Sequence, residues 1–169
     1  MKKILISLVS LLVFTSCVLH VYRFTSVNYN NSRISVSAGL VNSEDEKSPV
    51  EYIGVSDVRS NVNTPHKVKI LSSTIKIIDS NNKEYIAKTN SNSGYIHIYK
   101  QGVVITDDFK AYIGKVQLDD GTIIDIPPLS FEKTVYVEKY SVISDTINAG
   151  GRGKEIFSGT VEEYKNQKK

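Results

Sequence analysis

Side chains able to do acid/base or metal chemistry are few and poorly spaced in this chain of 169 residues. The histidines are His20, His66 and His97, and the one cysteine is Cys17. His20 lies in the signal or anchor region, and neither His66 nor His97 stands at the short spacing from another His or Cys that a zinc site uses. The acidic pairs Asp107-Asp108, Asp119-Asp120 and Glu162-Glu163 are adjacent in sequence, so on a strand the two carboxylates of a pair would point to opposite faces. Each pair also falls at an expected turn or helix start, where acidic residues serve the backbone. Asp119-Asp120-Gly121 lacks the alternating ligands of a calcium loop. The expectation is no catalytic residue, no metal site and no cofactor.

The glycine-rich run Ala149-Gly150-Gly151-Arg152-Gly153-Lys154 could cradle an anion with backbone amides and two cations. It is not a phosphate-binding loop of the Walker type, since Asn148 stands where the first glycine belongs and Glu155 where Ser or Thr belongs. A flexible connection between strands accounts for it. No Gly-x-Ser-x-Gly elbow is present. Lys67, Lys69 and Lys76 are interleaved with Val68, Ile70 and Ile75 as on a half-buried strand, so nothing points to nucleic acid.

More distinctive is the stretch 94–100, where Tyr95, His97 and Tyr99 alternate with Ile96 and Ile98. A period of two puts an aliphatic row on one face of a strand and an aromatic, polar row on the other. Tyr95, His97 and Tyr99, together with Arg152 in the glycine-rich loop, are the candidate partner-binding residues. The plainer reading of His97, and the favoured one, is an ordinary solvent-facing strand residue.

The elements that must position these residues read as strands. From Arg33, the residues Ile34, Val36, Ala38 and Leu40 alternate with Ser35, Ser37 and Gly39, the pattern of a half-buried strand. A β-rich stretch follows over 50–58. Residues 68–79 and 84–88, separated by Ser80-Asn81-Asn82, form an expected hairpin. Short strands are expected over 94–100 and 102–106. Residues 109–118 and 122–126 flank Asp119-Asp120-Gly121, where Asp-Gly suits a type I′ turn. Further strands are expected over 131–143 and 155–161. Thr160 and Glu163 stand at capping-box spacing for a short C-terminal helix. Strands at this regular spacing predict an all-β fold, an antiparallel β-sandwich of immunoglobulin-like or similar architecture.

Lys2 and Lys3 precede an apolar run over 4–14, followed by the small residues Thr15 and Ser16 and then Cys17. A basic start, a short apolar core and a small-residue exit make a secretory signal. This segment resembles the signal of bacterial lipoproteins. The resemblance implies that Cys17 is acylated and becomes the new N-terminus. Because Val18, not Asp, follows it, the resemblance further implies the outer membrane, facing the periplasm. Two other readings stay open: an ordinary cleaved signal, or residues 4–22 as an uncleaved inner-membrane anchor with the domain outside the cytoplasm. The expected layout is a signal peptide over 1–16, the lipidated cysteine and a tether over 17–32, a sandwich domain over 33–161 and a charged tail over 162–169.

Without the leader, the formal charge of +3 falls to +1, because Lys2 and Lys3 leave and no acidic residue does. Such a domain has no overall field to draw it to nucleic acid. With one cysteine it has no internal disulfide, so stability must come from packing. The expected function is a non-catalytic protein-binding or assembly module tethered in the cell envelope, with an envelope protein as partner. The alternatives are an immunity or inhibitor lipoprotein that blocks a toxin or lytic enzyme, and a hydrolase whose carboxylates are brought together by the fold.

Overall fold

A computed structural model describes residues 16–25, 27–29, 33–60, 66–90, 93–141 and 153–168. The apolar leader and Arg152 lie outside the described residues. The chain is mostly β, in several antiparallel sheets, with one short C-terminal helix, as the alternation predicts. It divides into two compact units: Tyr22–Thr134, and the residues up to Val21 together with those from Val135 onward. The sandwich expected over 33–161 is therefore not one continuous unit.

In Tyr22–Thr134, β2 (Val27–Tyr29), β3 (Ile34–Leu40), β4 (Val50–Asp57) and β8 (Tyr95–His97) form a sheet in the order β2-β3-β4-β8. A second sheet runs β12-β9-β6-β7, from β12 (Leu129–Phe131), β9 (Phe109–Tyr112), β6 (Thr74–Asp79) and β7 (Glu84–Lys88). A third runs β11-β10-β5, from β11 (Ile123–Ile126), β10 (Gly114–Leu118) and β5 (Val68–Ile70). The inward rows of all three share one apolar core, in which Ile34, Val36, Ile53, Ile75, Ile77 and Val116 are essentially inaccessible. Phe109 stacks on Phe131 and meets Phe24 edge to face within it.

Several expectations need correction. Residues 17–32 are not a plain tether, because Ser16–Phe24 is a strand, β1, and β2 follows it. The backbone N–H of Tyr22 donates to Ser43 O at 2.6 Å, and the Tyr22 and Phe24 side chains are buried. The last seven residues that a spanning helix over 4–22 would need are thus strand. The region 102–106 forms no strand, although Val103 and Ile105 are buried and Ile105 O accepts from Val50 N at 2.8 Å. The strand expected over 131–143 is broken at Glu132 into β12 and β13 (Lys133–Ser141), because the Lys133 N–H is taken by the Asp108 carboxylate at 2.8 Å. Lys133 is itself buried, its ammonium donating to the carbonyls of Glu46 and Thr106, and burial lowers its pKa.

The turn at Asp119-Asp120-Gly121 joins β10 to β11 as expected but is not type I′. That turn needs positive φ at both central residues, whereas Asn82 is the one non-glycine with positive φ among the described residues. Gly121 N donates to Leu118 O at 3.0 Å and Leu118 N to Thr122 O at 2.9 Å, with Gly121 at φ 83°. This is a three-residue loop, a type I turn closed by a left-handed residue. The β6–β7 turn repeats it, with Asn82 at φ 60° in the left-handed place.

In the other unit, β1, β13 and β14 (Lys154–Thr160) make a sheet in the order β1-β13-β14. The helix α1 (Val161–Gln167) follows. Its capping box is the one read from the sequence: Glu163 N donates to Thr160 Oγ1 at 3.2 Å, and Thr160 N to Glu163 Oε2 at 2.8 Å. His20, which falls in the leader region of the sequence, lies in β1 and meets the Tyr164 hydroxyl of α1 at 2.7 Å.

Candidate functional site

The outward face of β3, β4 and β8 carries the aromatic row expected from the sequence, with an added member. Register pairs Gly39 with Tyr52 across β3 and β4, and Tyr52 with His97 and Gly54 with Tyr95 across β4 and β8. The rings of Tyr52 and Tyr95 meet edge to face at 5.5 Å, and Tyr52 and His97 at 6.3 Å. These rings rest on glycines. A Cβ added to Gly39 would stand 2.3 Å from Tyr52 Cε1, and one on Gly54 would stand 2.8 Å from Tyr95 Cε1. The floor beside them is Ser35, Ser37 and Ser56, at alternate positions of the same strands. None of these outward residues carries a formal charge.

The structure thus brings Tyr95 and His97 together on one face, both exposed. Tyr99 leaves the strand. It opens a 3-10 turn, Tyr99–Gln101, closed by Gly102 at φ 78°. Tyr99 is exposed and makes no ring contact with the row among the described residues. Arg152 lies outside the described residues. Cys17 is exposed near the start of β1. Tyr52 is the member that the sequence reading missed. Its alternation with Gly54 and Ser56 was visible, but the register that sets it opposite His97 spans distant segments.

A second cluster was also missed. Asp57 closes β4 with its side chain inaccessible, and both its oxygens are held by the Arg59 guanidinium, Oδ2 at 2.6 Å from one terminal nitrogen. Arg59 also approaches Asp120 at 3.6 Å and Asp119 at 3.9 Å. His66 Nδ1 lies 2.6 Å from Asp119 Oδ2, and Arg33 pairs with Asp120. The Asp119-Asp120 pair therefore sits in its expected turn with both carboxylates employed. Arg59 holds the Asp57 carboxyl below its ordinary range against the opposing effect of burial. Asp120 is also lowered, first by Thr122 and then by Arg33.

Ligand atoms of Asp57, His66 and Asp119 lie within 4.8 Å of one another, a donor set of the kind zinc takes. A cation there would first have to displace the guanidinium that already satisfies the buried Asp57. The arrangement is an ion-pair latch joining the end of β4 to the β10–β11 turn. Elsewhere, a groove of about 660 Å³ lies by the β6 and β9 ends, with Asp79, Asp108, Glu132 and Lys110 in its lining. Asp79 is committed to the Asn81 and Lys83 amides and the Tyr85 hydroxyl, and Asp108 to the Lys133 amide.

Compared with known proteins, the chain matches no family model, no curated protein and no solved structure.

Proposed function

We propose that this chain is a non-catalytic protein-binding module of the bacterial cell envelope, moored through an acylated Cys17 and presenting the Tyr52-Tyr95-His97 face to an envelope protein. The observation that carries the reading is that face: aromatic rings seated on Gly39 and Gly54, with the uncharged Ser35, Ser37 and Ser56 beside them. Tyrosine supplies large contact area at a small entropic cost, and interface centres are depleted of charge and enriched in aromatic residues. Seating on glycine lets two of the rings lie close against the sheet, where a Cβ would otherwise stand. The mooring draws on the lipoprotein-like leader and on an exposed Cys17. Two or more acyl chains on that cysteine would make attachment durable. The reading places the domain at the outer membrane, facing the periplasm.

Two measurements test it. A photo-crosslinking amino acid at Tyr95 should give one discrete adduct in intact cells, while the same group at Ile86, exposed on another sheet, should give none. No adduct from Tyr95, or the same adducts from both positions, would refute the binding face. Mass analysis of chain extracted from membranes should show a mature N-terminus at Cys17 carrying acyl groups. An intact Met1 would remove the mooring.

A further inference from the structure

The Arg59 guanidinium marks a place where three carboxylates converge on one cation. A single terminal nitrogen lies 2.6 Å from Asp57 Oδ2, 3.6 Å from Asp120 Oδ2 and 3.9 Å from Asp119 Oδ1. Beside it, His66 Nδ1 stands 2.6 Å from the other oxygen of Asp119. Against the three carboxylates, Arg59 and Arg33 supply two positive charges. Counting His66 as neutral, the cluster is one positive charge short. The side chains around that nitrogen are also held by bonds the guanidinium does not make. Asp57 Oδ1 accepts the backbone N–H of Arg59 at 2.9 Å, and the His66 N–H donates to Ser60 Oγ at 2.9 Å. Asp120 Oδ1 accepts the Thr122 N–H at 3.0 Å while Oδ2 pairs with Arg33. The Arg59 side chain is 47% exposed, so its head reaches water by rotating about its own side-chain bonds.

We propose that a zinc ion exchanges with the Arg59 guanidinium at this place and is bound by Asp57, His66 and Asp119. Their ligand atoms lie within 4.8 Å of one another. Zinc bonds of about 2.0–2.2 Å set tetrahedral ligands roughly 3.4 Å apart, so the side chains draw in by up to about 1.4 Å. Asp120 or a water takes the fourth position. A mixed set of imidazole and carboxylate donors suits zinc, whereas calcium takes six or more oxygens. Charge favours the exchange, because a divalent ion together with Arg33 balances the three carboxylates that two guanidiniums leave one charge short. The opposing cost is the ion pair of the buried Asp57, which has to be broken first. Zinc therefore binds the minor form in which Arg59 has swung out. Minor forms of this kind are populated to about 0.1–10%, and the measured affinity is reduced by that fraction. The ligands come from the end of β4, from residue 66 and from the β10–β11 turn, all within Tyr22–Thr134. None belongs to the Tyr52-Tyr95-His97 face, so the two sites are tested separately.

The test is a titration of the full chain with zinc chloride, followed by calorimetry and by NMR of the His66 imidazole and the Arg59 Nε–H. The parent should show one saturable site with a dissociation constant below about 1 mM, and the His66 and Arg59 signals should shift together. His66→Ala should lose that site. Arg59→Ala removes the competing guanidinium and should tighten zinc about ten- to thousandfold, the inverse of the minor-form population. Where this variant is only marginally folded, because Asp57 is left unpaired, zinc should raise its melting temperature more than the parent's. Calcium chloride at the same concentration should leave His66 unmoved. Absence of saturable binding by the parent would overturn the proposal. So would binding that persists unchanged in His66→Ala, which would put zinc on other carboxylates, or an equal response to calcium. An Arg59 signal that stays in place while His66 shifts, or an Arg59→Ala variant that gains neither affinity nor melting temperature from zinc, would refute the exchange.

Discussion

Gly39 and Gly94 are the same residue under different constraints. At Gly39 an added methyl meets the far end of the Tyr52 ring, which can swing toward solvent. At Gly94 it meets the Val55 carbonyl oxygen at 2.2 Å, and that backbone is pinned by the Val55 N–H to Gly94 O bond. Gly94→Ala should therefore cost about 1–3 kcal/mol, as overpacking does. Gly39→Ala should stay within about 1 kcal/mol, since the lost ring contact is offset by the lower backbone entropy of alanine. Urea unfolding of both variants checks this, and Gly39→Ala should still displace the Tyr52 ring resonances. Equal costs would mean that the ring is as immovable as the backbone. The buried Asp57 gives a pH signature. Its folded pKa is lowered, chiefly by Arg59, so the stability it adds is complete above the unfolded value of about 4 and is lost as pH falls through the lower folded value. Asp57→Asn should destabilise by about 1.5–3 kcal/mol at neutral pH, the range for hydrogen bonds to charged groups. The gap to the parent should then close in acid. A gap unchanged down to the acid limit would show that the carboxylate charge is not what Arg59 holds.

At the scale of elements, the two three-residue turns make a matched experiment. Gly121 and Asn82 occupy the same left-handed position, at φ 83° and φ 60°. Gly121→Ala should cost about 1–2 kcal/mol, because a Cβ disfavours that conformation. Asn82→Gly should change stability by less than about 1 kcal/mol, since asparagine already tolerates it. Thermal melts decide, and similar losses in both variants would contradict the shared turn geometry. These turns also mark where the sequence stops being legible. Both hairpins were readable from turn residues between β-rich runs, and the inward row Ile34, Val36 and Ala38 from alternation alone. The type of turn was not, because Asp-Gly suits more than one turn and the ladder bonds choose among them. β1 was hidden by its own composition: Val18, Leu19, Val21 and Tyr22 continue the apolar leader with no punctuating residue. In the candidate site, Tyr95 and His97 could be read from their period, whereas Tyr52 could not, because its place depends on cross-strand register between β4 and β8. The same holds for the latch, where Asp57, His66 and Asp119 become neighbours only through the fold.

At the scale of the molecule, the two units differ in what they bury. Among the described residues, the buried apolar side chains from Val135 onward are Val135 and Val137, whereas Tyr22–Thr134 contains a core drawn from three sheets. Area removed from water is the main favourable term in folding, at about 25 cal/mol per Å². The unit with β14 and α1 should therefore open at a lower free energy than the global transition. Among the described residues, the contacts of its helix include the Thr160–Glu163 cap, the His20–Tyr164 hydrogen bond and the Phe157–Tyr164 ring contact at 5.1 Å. Thr160→Ala should remove about 1 kcal/mol of helix stability and act on that unit alone. Native-state hydrogen exchange in rising urea separates the cases. Amides of β14 and α1 should exchange first, and Thr160→Ala should speed them while leaving β3, β4, β6 and β9 unchanged. A single isotherm shared by every amide would mean that the two units fold as one cooperative body, with protection in β14 and α1 drawn from the central core.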